Sequence, residues 1–76
     1  MKIGDKVIIR FCLQAEDRPD REGVIIGEEI LTYRNIRTPV FRVKSEFFDN
    51  VLSFIKTPKN SRHYNYGNKD YWIEKA

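Results

Sequence analysis

The stretch from Val40 to Lys56, VFRVKSEFFDNVLSFIK, constrains the fold of this chain more than any other. Side chains alternate along a strand, so residues two apart share a face. A β-hairpin turned at Asp49-Asn50 pairs Phe48 with Val51, Phe47 with Leu52, Ser45 with Phe54 and Val43 with Lys56. One face then carries Phe41, Val43, Phe47, Leu52 and Phe54, broken only by Ser45. The other carries Arg42, Lys44, Glu46 and Ser53, with Phe48, Val51 and Ile55 near its ends. So lopsided a hairpin requires a second apolar layer. The same residues also fit a helix over 46–56. Phe47, Phe48, Val51, Leu52 and Ile55 make a helical stripe, with Ser45 as N-cap and Pro58 beyond its end. Adjacent phenylalanines, Asp-Asn and valine are weak helix formers, whereas Asp-Asn suits a turn with left-handed backbone. The hairpin is the expectation; an α+β domain with a short helix at 46–56 is the alternative.

The rest of the chain supplies partners for that hairpin. Lys2 to Leu13 reads as a first strand, with Val7, Ile9, Phe11 and Leu13 alternating against Lys6, Ile8, Arg10 and Cys12 after a Gly4-Asp5 turn. Gln14 to Glu22 is a polar loop. Gly23 to Tyr33 is a second strand, bent or bulged at Gly27. Arg34 to Pro39 is a connection, with Pro39 placed at a strand start because proline cannot donate to a central ladder. Thr57 to Asn68 is rich in turn residues and irregular. Lys69 to Ala76 is a short closing strand, with Trp72 on the face opposite Tyr71 and Ile73.

About five short strands in 76 residues make one domain over 1–76, all-β, and a small barrel is the arrangement that removes sheet edges. Gly4-Asp5-Lys6-Val7 at the first strand, Gly23-Val24-Ile25 after a variable loop, Phe41-Arg42-Val43-Lys44 and the closing Tyr71-Trp72-Ile73 resemble the SH3-like barrels of the KOW and Tudor kind. The resemblance implies a small SH3-like barrel of about five strands. It also implies a binding role, since such barrels bind RNA, DNA or peptides.

Catalytic and metal chemistry find little to work with. His63 is the single histidine and Cys12 the single cysteine. Ser61 lies near His63, but no third group orients that pair, so an enzyme is not expected. One cysteine and one histidine make no zinc site, and no metal or other cofactor is expected. Cys12 reads as a small, half-buried hydrophobe. A lone cysteine and an N-terminus without a secretory leader imply a reducing, cytoplasmic setting.

Charge points to a ligand. The net charge is +3. Residues 1–33 carry five basic and seven acidic groups, whereas residues 34–44 carry four basic groups and no acid. Residues 56–76 carry five basic and two acidic groups, interleaved with Tyr64, Tyr66, Tyr71 and Trp72. Cations along a backbone and aromatic rings under bases are what single-stranded nucleic acid requires. The expected interface comprises Arg34, Arg37, Arg42, Lys44, Lys59, Arg62, Tyr64, Tyr66 and Lys69, with RNA favoured over DNA. The alternative is a protein-interaction or inhibitor domain, such as a phage protein that engages a host factor, which would use exposed Phe48, Val51 and Ile55. No membrane partner is expected, and either a monomer or an edge-paired dimer fits.

Overall fold

Two residues with left-handed backbone, Arg34 (φ 49°) and Asn35 (φ 65°), turn the longest hairpin of the protein. Positive φ at both central residues is the signature of the two-residue turn whose twist matches that of its strands. The hairpin joins β2 (Arg21–Tyr33) to β3 (Ile36–Lys44). The structure is a computed structural model that describes residues 1–12 and 19–76, the side chain of Tyr33 excepted. Before the hairpin stands β1 (Lys6–Phe11); after it come β4 (Leu52–Ile55), β5 (His63–Asn65) and β6 (Tyr71–Lys75). Each strand pairs antiparallel with the next, and β6 returns to β1 through pairs such as Ile9 with Ile73, closing a six-stranded barrel. No helix occurs among the described residues, so the alternative helix at 46–56 is excluded.

Alternation builds the core as the sequence suggests. Val7 and Ile9 of β1, Ile25 of β2, Phe41 and Val43 of β3, Phe54 of β4 and Ile73 of β6 point inward and are buried. Phe11, Phe48, Leu52 and Tyr71 pack against this cluster. The Tyr71 ring lies 5.3 Å from Phe11, 6.3 Å from Phe48 and 6.5 Å from Phe54, an aromatic plug on the apolar interior. Gly23 is buried where a Cβ would meet Val43 Cγ1 at 2.7 Å, so the absence of a side chain lets β2 approach β3 there.

Several boundaries differ from expectation. The 40–56 hairpin exists, but Phe41 pairs with Phe54 and Val43 with Leu52. The shift from the expected register is four residues, an even number, so Phe41, Val43, Leu52 and Phe54 keep their common face. Asp49-Asn50 is not a two-residue turn. Residues 45–51 form the connection, begun by Phe48 N donating to the Ser45 carbonyl and anchored by Ser45 Oγ donating to the Glu22 carbonyl at 2.7 Å. Phe47 therefore lies outside the core, 52% exposed, with the Arg21 guanidinium 4.1 Å over its ring.

The 34–39 connection is the arm's turn plus the start of β3, and Pro39 lies inside that strand. It is tolerated because the β3–β4 ladder begins only at Val40, one residue later. β2 begins at Arg21, so Arg21 and Glu22 leave the expected loop, and the register break between Ile25 and Gly27 is the expected bulge. Cys12 follows the end of β1 and is exposed rather than half-buried. The expectations for Leu13 and for most of the polar loop fall on 13–18, outside the described residues. A sixth strand, β5, arises within the segment expected to be irregular.

Candidate functional site

Strand register decides which side chains meet on the outside of the barrel. Val40 pairs with Ile55, Ile55 with Tyr64, Tyr64 with Trp72, and Trp72 with Arg10. These five side chains share the outward face, because directly paired residues point the same way. The β3–β4 ladder stops at Val40 and Ile55, while β2 and β3 continue past it as a two-stranded arm over Ile30 to Pro39. After Ile55 the chain turns back, Asn60 N donating to the Thr57 carbonyl at 3.0 Å, and returns as β5.

Arm and turn leave between them a cleft of about 650 Å³. The arm contributes Leu31, Ile36 and Thr38; Ile55 and Tyr64 also line it. Opposite stand Pro58, Lys59 and Asn60, with Tyr66 and Lys69 beside them. Volumes of this order suit a small organic group, and apolar walls with a few polar atoms are the usual make-up of a ligand site.

Asn65 organises one side of the cleft. It is buried, and its Nδ2 donates to the Ser53 carbonyl at 3.2 Å. Its Oδ1 accepts from Gly67 N at 3.0 Å and Asn68 N at 2.8 Å. Tyr66 N donates to the same Ser53 carbonyl at 2.8 Å. The segment bearing Tyr66 and Lys69 is thereby tied to β4, a side chain standing in for the backbone partners of a turn. Tyr66 itself is 67% exposed, an aromatic ring presented to solvent at the cleft mouth.

The nine expected nucleic-acid residues divide. Lys59, Tyr64, Tyr66 and Lys69 come together in the cleft. Arg34 is at the arm tip, and Arg37 pairs with Thr32 on the arm. Arg62 lies with its guanidinium 4.3 Å over the Trp72 ring. Arg42 is paired with Glu29 at 2.6 Å, which sets a negative charge beside it. Lys44 borders a separate, smaller depression of about 220 Å³ with Lys6, Glu22 and Glu46. Among the described residues, Lys59 and Lys69 make no ion pair.

The alternative set divides too. Ile55 is buried in the cleft wall, Phe48 packs on Tyr71, and only Val51 is exposed.

His63 points inward with Ile73, its ring 5.3 Å from that of Phe41. Burial first, then the charges of Lys56 and the N-terminus, lowers its pKa below the ordinary 6.5. It adds no positive charge to the surface at neutral pH. Among the described residues no three His, Cys, Asp or Glu side chains group as metal ligands would. Sequence reasoning missed the arm, and with it Leu31, Ile36 and Thr38; the signal was Asn35, a residue that tolerates left-handed backbone. Comparison with protein-family models, curated proteins and solved structures finds no match to this chain.

Proposed function

We propose that the protein is a non-enzymatic binding module of the SH3-like small-barrel kind that holds single-stranded nucleic acid, RNA in preference to duplex DNA, in the arm cleft. The observation that carries this reading is the convergence of Tyr64 and Tyr66 with Lys59 and Lys69 on one apolar cleft. A base released from stacking finds aromatic and aliphatic walls, and the two ammonium groups at the rim meet its phosphates. A duplex presents no free base face to such a cleft, which is why a single strand is the substrate class. Arg34 and Arg37 extend the positive surface along the arm. Arg42, paired with Glu29, contributes less. The Gly4-Asp5 start supports the SH3-like kinship: Gly4 has φ 95°, and Asp5 Oδ2 accepts from Lys2 N at 3.0 Å to shape the turn into β1.

The test is fluorescence anisotropy with a labelled single-stranded RNA and a duplex DNA of matched length, at low and near-physiological salt. The single strand binds more tightly. Lys59→Glu and Lys69→Glu each weaken binding and lower the salt slope by about 0.7 for every phosphate that is no longer neutralised. Absence of binding to either nucleic acid at low salt overturns the proposal. A protein-partner reading rests on a different observation, the exposed Ile26 and Ile30 of β2, which lie outside the cleft lining. Affinity for a protein partner through that apolar surface is nearly indifferent to salt, so the same titration separates the two.

A further inference from the structure

Trp72 stands on the same outward face as Tyr64, one strand further from the cleft. The two rings are 6.0 Å apart and meet edge to face at 60°. A chain of polar groups surrounds Trp72. Its indole N–H donates to Glu74 Oε1 at 3.1 Å. Glu74 Oε2 accepts from Arg10 Nε at 2.6 Å, and Arg10 also reaches Asp20 at 2.9 Å. The indole hydrogen bond, then the hydrogen bond and charge of Arg10 and the charge of Arg62, hold the Glu74 carboxyl below its ordinary pKa. The ring is therefore fixed in orientation, and Arg10, Asp20 and Glu74 beside it are joined to one another by hydrogen bonds. The Arg62 guanidinium lies over the ring, 4.3 Å from its centroid. Arg62 is exposed and makes no ion pair among the described residues.

A planar guanidinium lying on an oriented indole is itself a surface on which a base stacks. We infer that Arg62 and Trp72 form a second base subsite, so that the ligand is a strand running from the cleft, past Tyr64, onto Trp72. The inference rests on the cleft reading and extends it: a single nucleotide fills only the first position, and an oligonucleotide fills both. Arg10 and Arg62 together balance the charges of Asp20 and Glu74, so the second subsite adds stacking and little phosphate attraction. Its removal lowers affinity without moving the salt slope much, the opposite of removing Lys59 or Lys69.

Trp72 is the only tryptophan of the chain, so its fluorescence reports on this position directly. Uridine monophosphate and a uridine octanucleotide, a length within the range that one small barrel covers, are titrated against the wild type, Arg62→Ala, Trp72→Leu and Tyr66→Ala. The octanucleotide is expected to quench or shift the Trp72 emission, and the mononucleotide to leave it unchanged. Trp72→Leu, followed by anisotropy of the labelled octanucleotide, is expected to bind about 10-fold more weakly with an unaltered salt slope. Arg62→Ala changes the amplitude of the emission response. Thermal melting of each variant confirms that it is folded, and the wild-type emission stands without any substitution. Octanucleotide binding that is weakened by Tyr66→Ala yet leaves Trp72 emission and Trp72→Leu affinity at the wild-type level overturns the second subsite while the cleft reading survives. Failure of the octanucleotide to bind at low salt overturns both.

Discussion

Gly23→Ala, alone and combined with Val43→Ala, tests how closely β2 and β3 are packed. A Cβ at position 23 meets Val43 Cγ1 at 2.7 Å, the Lys44 carbonyl oxygen at 3.3 Å and Ile9 Cδ1 at 3.5 Å. The first of these demands movement by a side chain that is itself fully buried. Overpacking of this kind costs about 1–3 kcal/mol. Against it stands a gain of about 0.4–1 kcal/mol from the stiffer unfolded chain, since the φ of Gly23 lies outside the left-handed region. The net expectation is a decrease of about 1–2 kcal/mol, or roughly 4–16 °C in Tm at this domain size. Val43→Ala alone removes two buried methyl carbons and costs about 2–3 kcal/mol.

In the double variant the clashing Cγ1 is gone and the new methyl occupies part of the space it left. The second substitution then becomes neutral or stabilising, and the cycle shows a favourable coupling of about 1–3 kcal/mol. Urea unfolding followed by far-ultraviolet circular dichroism supplies all four free energies. Costs that add to within about 0.5 kcal/mol refute the steric account of this glycine.

Phe54→Ala is expected to cost about 3–5 kcal/mol and Phe47→Ala less than about 1, because Phe54 is fully buried and Phe47 lies outside the barrel; equal decreases in chemical denaturation reject the observed register. Asn65→Ala removes three hydrogen bonds, two from the turn beside the cleft and one to β4, and is expected to lower stability by about 1–3 kcal/mol while loosening the amides of Gly67 and Asn68 in hydrogen exchange. His63 has its pKa lowered by folding, so the unfolded chain takes up its proton first. Its contribution to stability is complete above 6.5 and is lost as the pH falls through that value toward the lower folded one. Tm measured across that window falls in the wild type, and the part of the fall due to His63 vanishes in His63→Gln.

The β class, the inward faces of β1, β3 and β4, and the bend near Gly27 were legible in the sequence because they depend on alternation and on backbone preference, both local properties. An even slip in register preserved the faces of the 40–56 hairpin, so Phe41, Val43, Leu52 and Phe54 were assigned correctly although their pairing was not. The extent of the ladder was not legible. Asp-Asn is acceptable as a turn, and only the packing of Phe48 on Tyr71 and the Ser45 bond to Glu22 show why the chain makes a longer connection. For the candidate site, the sequence marked Lys59, Tyr64, Tyr66 and Lys69 by composition but had no means of separating them from Arg42 or Lys44. That separation is three-dimensional. Glu29 is thirteen residues from Arg42 along the chain and reaches it across the β2–β3 ladder. The cleft exists because one hairpin outruns its neighbour, so that a β2–β3 arm stands over a turn between β4 and β5. Composition sets which chemical groups are present, and only barrel closure, by fixing register among six strands, sets which of them meet.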